Sequence, residues 1–283
     1  MAKKCSVGGQ AVIEGVLMKN GNKVAIAVRR PDKKISVKKE KHPGIAKKIK
    51  FLGWPFFRGI VNLIEMMVLG IKALGYSANE SLGEEEEKIT KKEFAVTTVI
   101  ALAMAIGLFV LLPLYLTKAT KTQGITFNLI DGVLRVAVFV VYILVISLMS
   151  DVKRLFEYHG AEHKTVNCYE AGKKLTVANV KKYTTLHRRC GTTFLLIVLT
   201  ISIIIFSMIV TDSFWIKFLA RILLLPVIAG ISYELLKLGA KFPNNILLNI
   251  LVWPGLMLQK ITTREPDNKQ IEVAIKAFDA VVK

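Results

Sequence analysis

One stretch of this chain constrains its fold more than any other: from Phe94 to Thr117 no side chain carries a charge. At a helical rise of ~1.5 Å per residue, such a run reaches across a ~30 Å hydrocarbon layer with some tilt, and lipid is its simplest surrounding. Three more apolar runs follow, Val133 to Ser150, Thr193 to Thr211 and Phe214 to Leu236, the last carrying Lys217 and Arg221 near its outer end. Composition agrees with this segregation, because a chain that is 53% hydrophobic yet carries a net charge of +19 fits no ordinary globular surface. The sequence therefore reads as an all-α polytopic membrane protein with four transmembrane helices, flanked by interfacial or re-entrant helices.

Lys and Arg set the orientation. They crowd the segment before the first run (Lys3, Lys4, Arg29, Arg30, Lys33, Lys34, Lys38, Lys39) and the loop from Asp151 to Gly191. The positive-inside rule puts both in the cytosol, leaving the short 118–132 loop and the Thr211-Asp212-Ser213 turn outside and both termini cytosolic. No long apolar stretch follows the basic start, so no cleavable signal peptide is expected. Cys5, Cys168 and Cys190 all fall on the cytosolic side, where thiols stay reduced, which argues against a disulfide framework. Basic residues flanking spans on an anionic leaflet need no nucleic-acid partner; the bilayer is the expected one.

Four segments follow along the chain. Residues 1–50 form a basic cytosolic segment in which Lys23–Arg30 and Lys34–Lys39 read weakly as a β-ribbon, while Gly8 to Gly15 reads as a turn without the spacing of a phosphate loop. Residues 51–92 hold an amphipathic interfacial helix, with Arg58, Asn62, Glu65 and Lys72 as a narrow polar stripe, and then the acidic linker Glu84–Glu87, to which no site is assigned. Residues 93–236 are the membrane domain, interrupted by the 151–192 loop. Residues 237–283 carry a short apolar piece around Trp253-Pro254-Gly255, and a tail whose Ile271, Ala274, Ile275 and Phe278 recur at helical spacing and should dock. Glu234 is expected to pair with Lys237 or Arg221.

Chemistry concentrates in the 151–192 loop. Of four histidines in the chain, His159, His163 and His187 lie there. The first two form H-x-x-E-H with Glu162. If the second span continues as a helix past Ser150, residues four apart share a face and both imidazoles reach one ion, in the order of inverzincins, where the Glu activates water. Catalytic zinc takes three protein ligands and keeps one position open, so a third ligand is sought among Glu170, His187 and Cys190. If His187 and Cys190 both join, the site closes and is structural. Haem fits less well, since C-x-x-C-H is absent.

The segments Gly8-Gly9-Gln10-Ala11-Val12-Ile13-Glu14-Gly15-Val16, Glu157-Tyr158-His159-Gly160-Ala161-Glu162-His163-Lys164, Arg189-Cys190-Gly191-Thr192 and Thr262-Thr263-Arg264-Glu265-Pro266-Asp267 together resemble the YqhQ-like family of bacterial membrane proteins, over nearly the whole chain. The resemblance implies a metal-dependent enzyme of the cell membrane, on the same His and Glu pattern, and supports His159, Glu162, His163 and Cys190 as site residues. Where that family often has Pro after the loop His, this chain has Arg188.

Two functions follow as expectations. The first is a zinc-dependent membrane hydrolase, or one using another divalent ion, with Glu162 as general base. The second is a channel, transporter or scaffold in which the metal only pins the loop and, in a homo-oligomer, the polar stripe lines a pore.

Overall fold

The computed structural model describes residues 7–44, 49–82, 88–209, 211 and 213–282. The expectations placed on Cys5, on Glu84–Glu87 and on Asp212 lie outside those residues. The chain is mostly helical, with one four-stranded antiparallel sheet near its beginning.

The sheet runs β1 (Val7–Val12), β2 (Gly15–Asn20), β3 (Lys23–Arg29) and β4 (Ile35–Lys41), each paired with the next. The two strands read from the sequence correspond to β3 and β4; β1 occupies most of the stretch read as a turn, Gly8 to Gly15, and β2 begins at its end. Only Ile13 and Glu14 turn there, and Glu14 takes the left-handed conformation (φ 51°) usually left to Gly. It does so because its carboxylate is spoken for: Arg154 and Tyr158 both donate to it from a helix far along the chain.

Alternation along the strands buries both faces of the sheet. Leu17, Val24, Ile26 and Val28 face Leu69 and Ala73 of α1 (Phe57–Ser81). Val16, Met18, Ala25 and Ala27 face Tyr158 and Ala161 of α4 (Ser150–Glu170) together with Ile271, Ala274 and Phe278 of α9 (Asn268–Val282). Period-2 patterning with apolar residues on both sides specifies such a three-layer stack. The C-terminal amphipathic helix thus docks, and its seat is the N-terminal sheet.

The stripe on α1 is consumed within the chain. Arg58 makes two hydrogen bonds to Glu234, Asn62 donates to the Tyr233 hydroxyl at 2.9 Å, and Glu65 meets Lys19 at 3.7 Å. Lys72 alone of the four is exposed. The partner expected for Glu234, Lys237 or Arg221, is replaced by Arg58, because α1 packs along α7 (Leu225–Lys241).

Among the described residues two helices are long and apolar enough to cross a membrane, α2 (Lys91–Ala119) and α3 (Gly124–Ile146). A third candidate arises if α6 (Phe214–Leu223) and α7, bent by 45° at their junction, count as one span. Two more apolar helices, α5 (Gly191–Ser207) and α8 (Ile246–Thr262), are shorter at 17 residues each. The expected 118–132 loop shrinks to Thr120–Gln123, since α3 starts at Gly124 and takes Asp131 into its buried face. That carboxylate accepts from Arg135 at 2.8 Å and from Arg221 at 2.9 Å, so α3 and α6 are cross-linked inside an apolar bundle. Both guanidinium groups also lie within about 5 Å of the Phe206 ring, at 5.1 and 5.2 Å.

Candidate metal centre

The span before the site does not run on as one helix. Ile146 ends α3, Ser147 to Met149 turn, and α4 starts afresh at Ser150. The break is held from outside, since the Arg264 side chain donates to the freed Ser147 carbonyl at 2.9 Å, where a cation complements a helix C-terminus. The one-turn spacing of His159 and His163 survives because it needs only α4, and their ring centroids lie 4.4 Å apart.

Each imidazole is oriented by a backbone carbonyl. His159 Nδ1 donates to Thr262 O at 2.9 Å and His163 Nδ1 donates to Thr185 O at 2.5 Å. A carbonyl only accepts, so each Nδ1 carries the hydrogen and each Nε2 keeps its lone pair, which is the arrangement that metal-binding histidines require of their surroundings. Burial pushes His163 below its ordinary value, favouring the neutral ring that can ligate.

Cys190 completes the group. It is the N-cap of α5, and its Sγ accepts from the Thr192 backbone N–H at 3.4 Å. Unpaired N–H groups at a helix start favour negative charge there. His159 Nε2 stands 3.3 Å from this sulfur, and the ligand atoms of His159, His163 and Cys190 all lie within 4.8 Å of one another. A tetrahedral zinc, with nitrogen at ~2.0–2.1 Å and sulfur at ~2.3 Å, holds its donors roughly 3.3–3.8 Å apart. Two imidazoles and one thiolate therefore fit zinc in both donor type and spacing after a small closure.

The other candidates stand outside this trio. Glu170 lies a further two turns along α4, where His187 and then Arg189 hold its carboxyl below the usual range. His187 reaches Glu170 at 3.4 Å instead of the trio, although its ring centroid is only 5.6 Å from that of His163. Glu162 is 5% exposed and sits with Oε2 3.7 Å from His163 Nε2, beside the three ligands but not among them. Burial pushes its carboxyl up, while neighbouring His159 and His187 and a hydrogen bond from the Gly9 N–H pull the other way.

That contact explains Gly9. A Cβ there would lie 2.8 Å from Glu162 Cγ and 2.7 Å from Leu17 O, so only Gly lets the β1 backbone approach the carboxylate. Gly160 plays the same part on α4, where a Cβ would meet Arg264 O at 2.0 Å. The four motif blocks of the sequence thus meet at one helix. Gln10, Glu14, Arg58 and Glu65 take partners outside the trio, and Gln10 packs against Gly70 of α1.

Sequence reasoning overlooked Gln259. It is fully buried on α8, accepts from His187 N at 2.8 Å, and donates to His187 O at 2.9 Å and Thr193 Oγ1 at 2.8 Å. This side chain clamps the turn that leads from Thr185 to Cys190. Little in the sequence signals it, since Gln259 falls where the apolar run ends and the polar Lys260 to Arg264 stretch begins.

A family model described as Protein of unknown function (DUF1385) matches residues 54–283. The Uncharacterized protein YqhQ of Bacillus subtilis (strain 168) is 35% identical over 300 residues, covering 98% of this chain and 92% of that protein. No solved structure matches.

Proposed function

The chain belongs to the family described as Protein of unknown function (DUF1385), and within it we propose that this protein is a zinc-dependent membrane hydrolase. The observation that carries the reading is the convergence of three donors, His159, His163 and Cys190, with a buried carboxylate beside them that is not one of the three. Three protein ligands and a free position is the pattern of catalytic zinc.

His159, His163 and Cys190 would hold zinc, which would supply Lewis acidity for activating water. The rest is done by the chain itself. His159 and His163 present Nε2 because Thr262 and Thr185 hold Nδ1. Glu162, whose carboxyl burial pushes up, is the proton acceptor and later donor. The net reaction adds water across one bond, OH to the electrophilic atom and H to the leaving group, and needs no other reactant.

The same proposal includes placement. α2, α3, α5 and the bent pair α6 and α7 make four crossings of a cell membrane, with both termini and the metal centre on the cytosolic side. Supporting it, the end of α3, the start of α5 and the end of α8 all meet at the site.

Glu162→Gln tests the chemistry. Metal content of the purified full-length protein should match wild type while hydrolysis of a substrate panel is lost; His163→Ala should lose the metal as well. If wild type binds no zinc, or if Glu162→Gln hydrolyses as wild type does, the reading is wrong. A purely structural metal, as in a scaffold or channel, predicts the second outcome.

A further inference from the structure

Behind the metal centre lies an open groove of about 680 Å³. Its walls include Thr185 and Thr263, beside the two carbonyls, of Thr185 and Thr262, that orient the imidazoles. The groove and the ligand set therefore share a wall one peptide thick.

Its lining is amphiphilic. Leu186 and Ile261 supply apolar surface, and Lys260 and Arg264 supply two positive charges. The one acidic group in the lining, Glu265, is neutralised from the side by Lys164 at 2.7 Å. What remains is basic.

Depth can be read from the neighbours. Arg264 is tied to the Ser147 carbonyl at the end of α3, a helix apolar enough to cross a membrane, and the next residues, Leu148 and Met149, are 83% and 56% exposed. Apolar side chains this open to the outside, directly beside an Arg, belong at the boundary between hydrocarbon and headgroups. Lys260, in the last turn of apolar α8, stands at the same boundary.

We propose that this groove holds the anionic, phosphate-bearing headgroup of a membrane lipid, as a binding site separate from the metal centre, whose ligating nitrogens face away from it. Lipid binding here rests on the groove and is independent of the hydrolase reading. A headgroup seated between Lys260 and Arg264 keeps its acyl chains in the bilayer along α3 and α8.

The test uses full-length protein in detergent micelles and native mass spectrometry, which reads bound lipid and bound zinc together. The probes are phosphatidic acid, phosphatidylcholine and inorganic phosphate. Phosphatidic acid should be retained in preference to phosphatidylcholine, and Lys260→Glu should weaken it by about tenfold or more. Lys173→Glu, an exposed charge reversal in the turn after α4 and outside the groove, should leave retention unchanged. Equal retention by Lys260→Glu and wild type overturns the proposal, as does equal retention of the two lipids or displacement of phosphatidic acid by inorganic phosphate. Wild type that holds phosphatidic acid without zinc overturns the hydrolase reading and leaves the groove standing. Wild type that holds zinc without discriminating lipid charge overturns the groove and leaves the metal centre standing.

Discussion

Gln259→Leu keeps the volume of the side chain and removes three hydrogen bonds, to His187 N, His187 O and Thr193 Oγ1. At about 1 kcal/mol for each bond, with the His187 groups only part-buried, the expected loss of stability is about 3 kcal/mol. Metal affinity should fall further than a general loosening explains. The turn that Gln259 clamps carries both the Thr185 carbonyl that orients His163 and the Cys190 sulfur, and outer groups of this kind are worth about tenfold to a hundredfold in affinity. Urea unfolding in detergent gives the first quantity, and zinc competition against a chromogenic chelator gives the second. Asp131→Ala is the control, since it weakens the bundle among α3 and α6 without touching α8. If Gln259→Leu is destabilised but competes for zinc as wild type does, the clamp does not position the ligands and the reasoning fails.

Asp131→Ala itself leaves Arg135 and Arg221 buried without the carboxylate they share, and should cost about 3–5 kcal/mol in the same unfolding assay with zinc content unchanged. Gly9→Ala forces a Cβ to within 2.8 Å of Glu162 Cγ, and should cost about 1–3 kcal/mol; it should retain zinc yet hydrolyse more slowly, so unaltered turnover would detach Glu162 from the mechanism. Orientation is checked by cysteine accessibility in intact cells, with wild type, whose Cys168 and Cys190 are buried, as the baseline. Lys121→Cys should react with an impermeant maleimide from outside, whereas Lys173→Cys should react only after permeabilisation, and the reverse pattern would invert the topology.

Much of the site was legible because α-helical spacing is local. His159, Glu162 and His163 fall within five consecutive positions, so their common face follows from 3.6 residues per turn wherever α4 begins. The family resemblance carried by the four motif blocks is borne out over nearly the whole chain. Choosing the third ligand was a different problem. Glu170 satisfied the helical spacing and His187 had the better ligand chemistry by type, but Arg189 beside Glu170 forms an ion pair that draws both aside. The sheet was half-read for a comparable reason. Gly8, Gly9 and Gly15 depress strand propensity, and the use of Gly9 and Gly15, in permitting close approach of Glu162 and of the Ala27 carbonyl, exists only once the partners are in place.

Apolar runs, charge asymmetry and an H-x-x-E-H helix are properties of neighbouring residues, so the amino-acid order alone determined that this chain has helices able to cross a membrane and two imidazoles on one helical face. Tertiary structure decided which sulfur meets those imidazoles, which carbonyls turn their nitrogens inward, and that the first and last segments share a core around α4. Those outcomes join residues 22 to over 100 positions apart, as in the pairs Thr185 with His163 and Thr262 with His159. Contacts of that range are selected by packing over the whole chain, which no local pattern encodes.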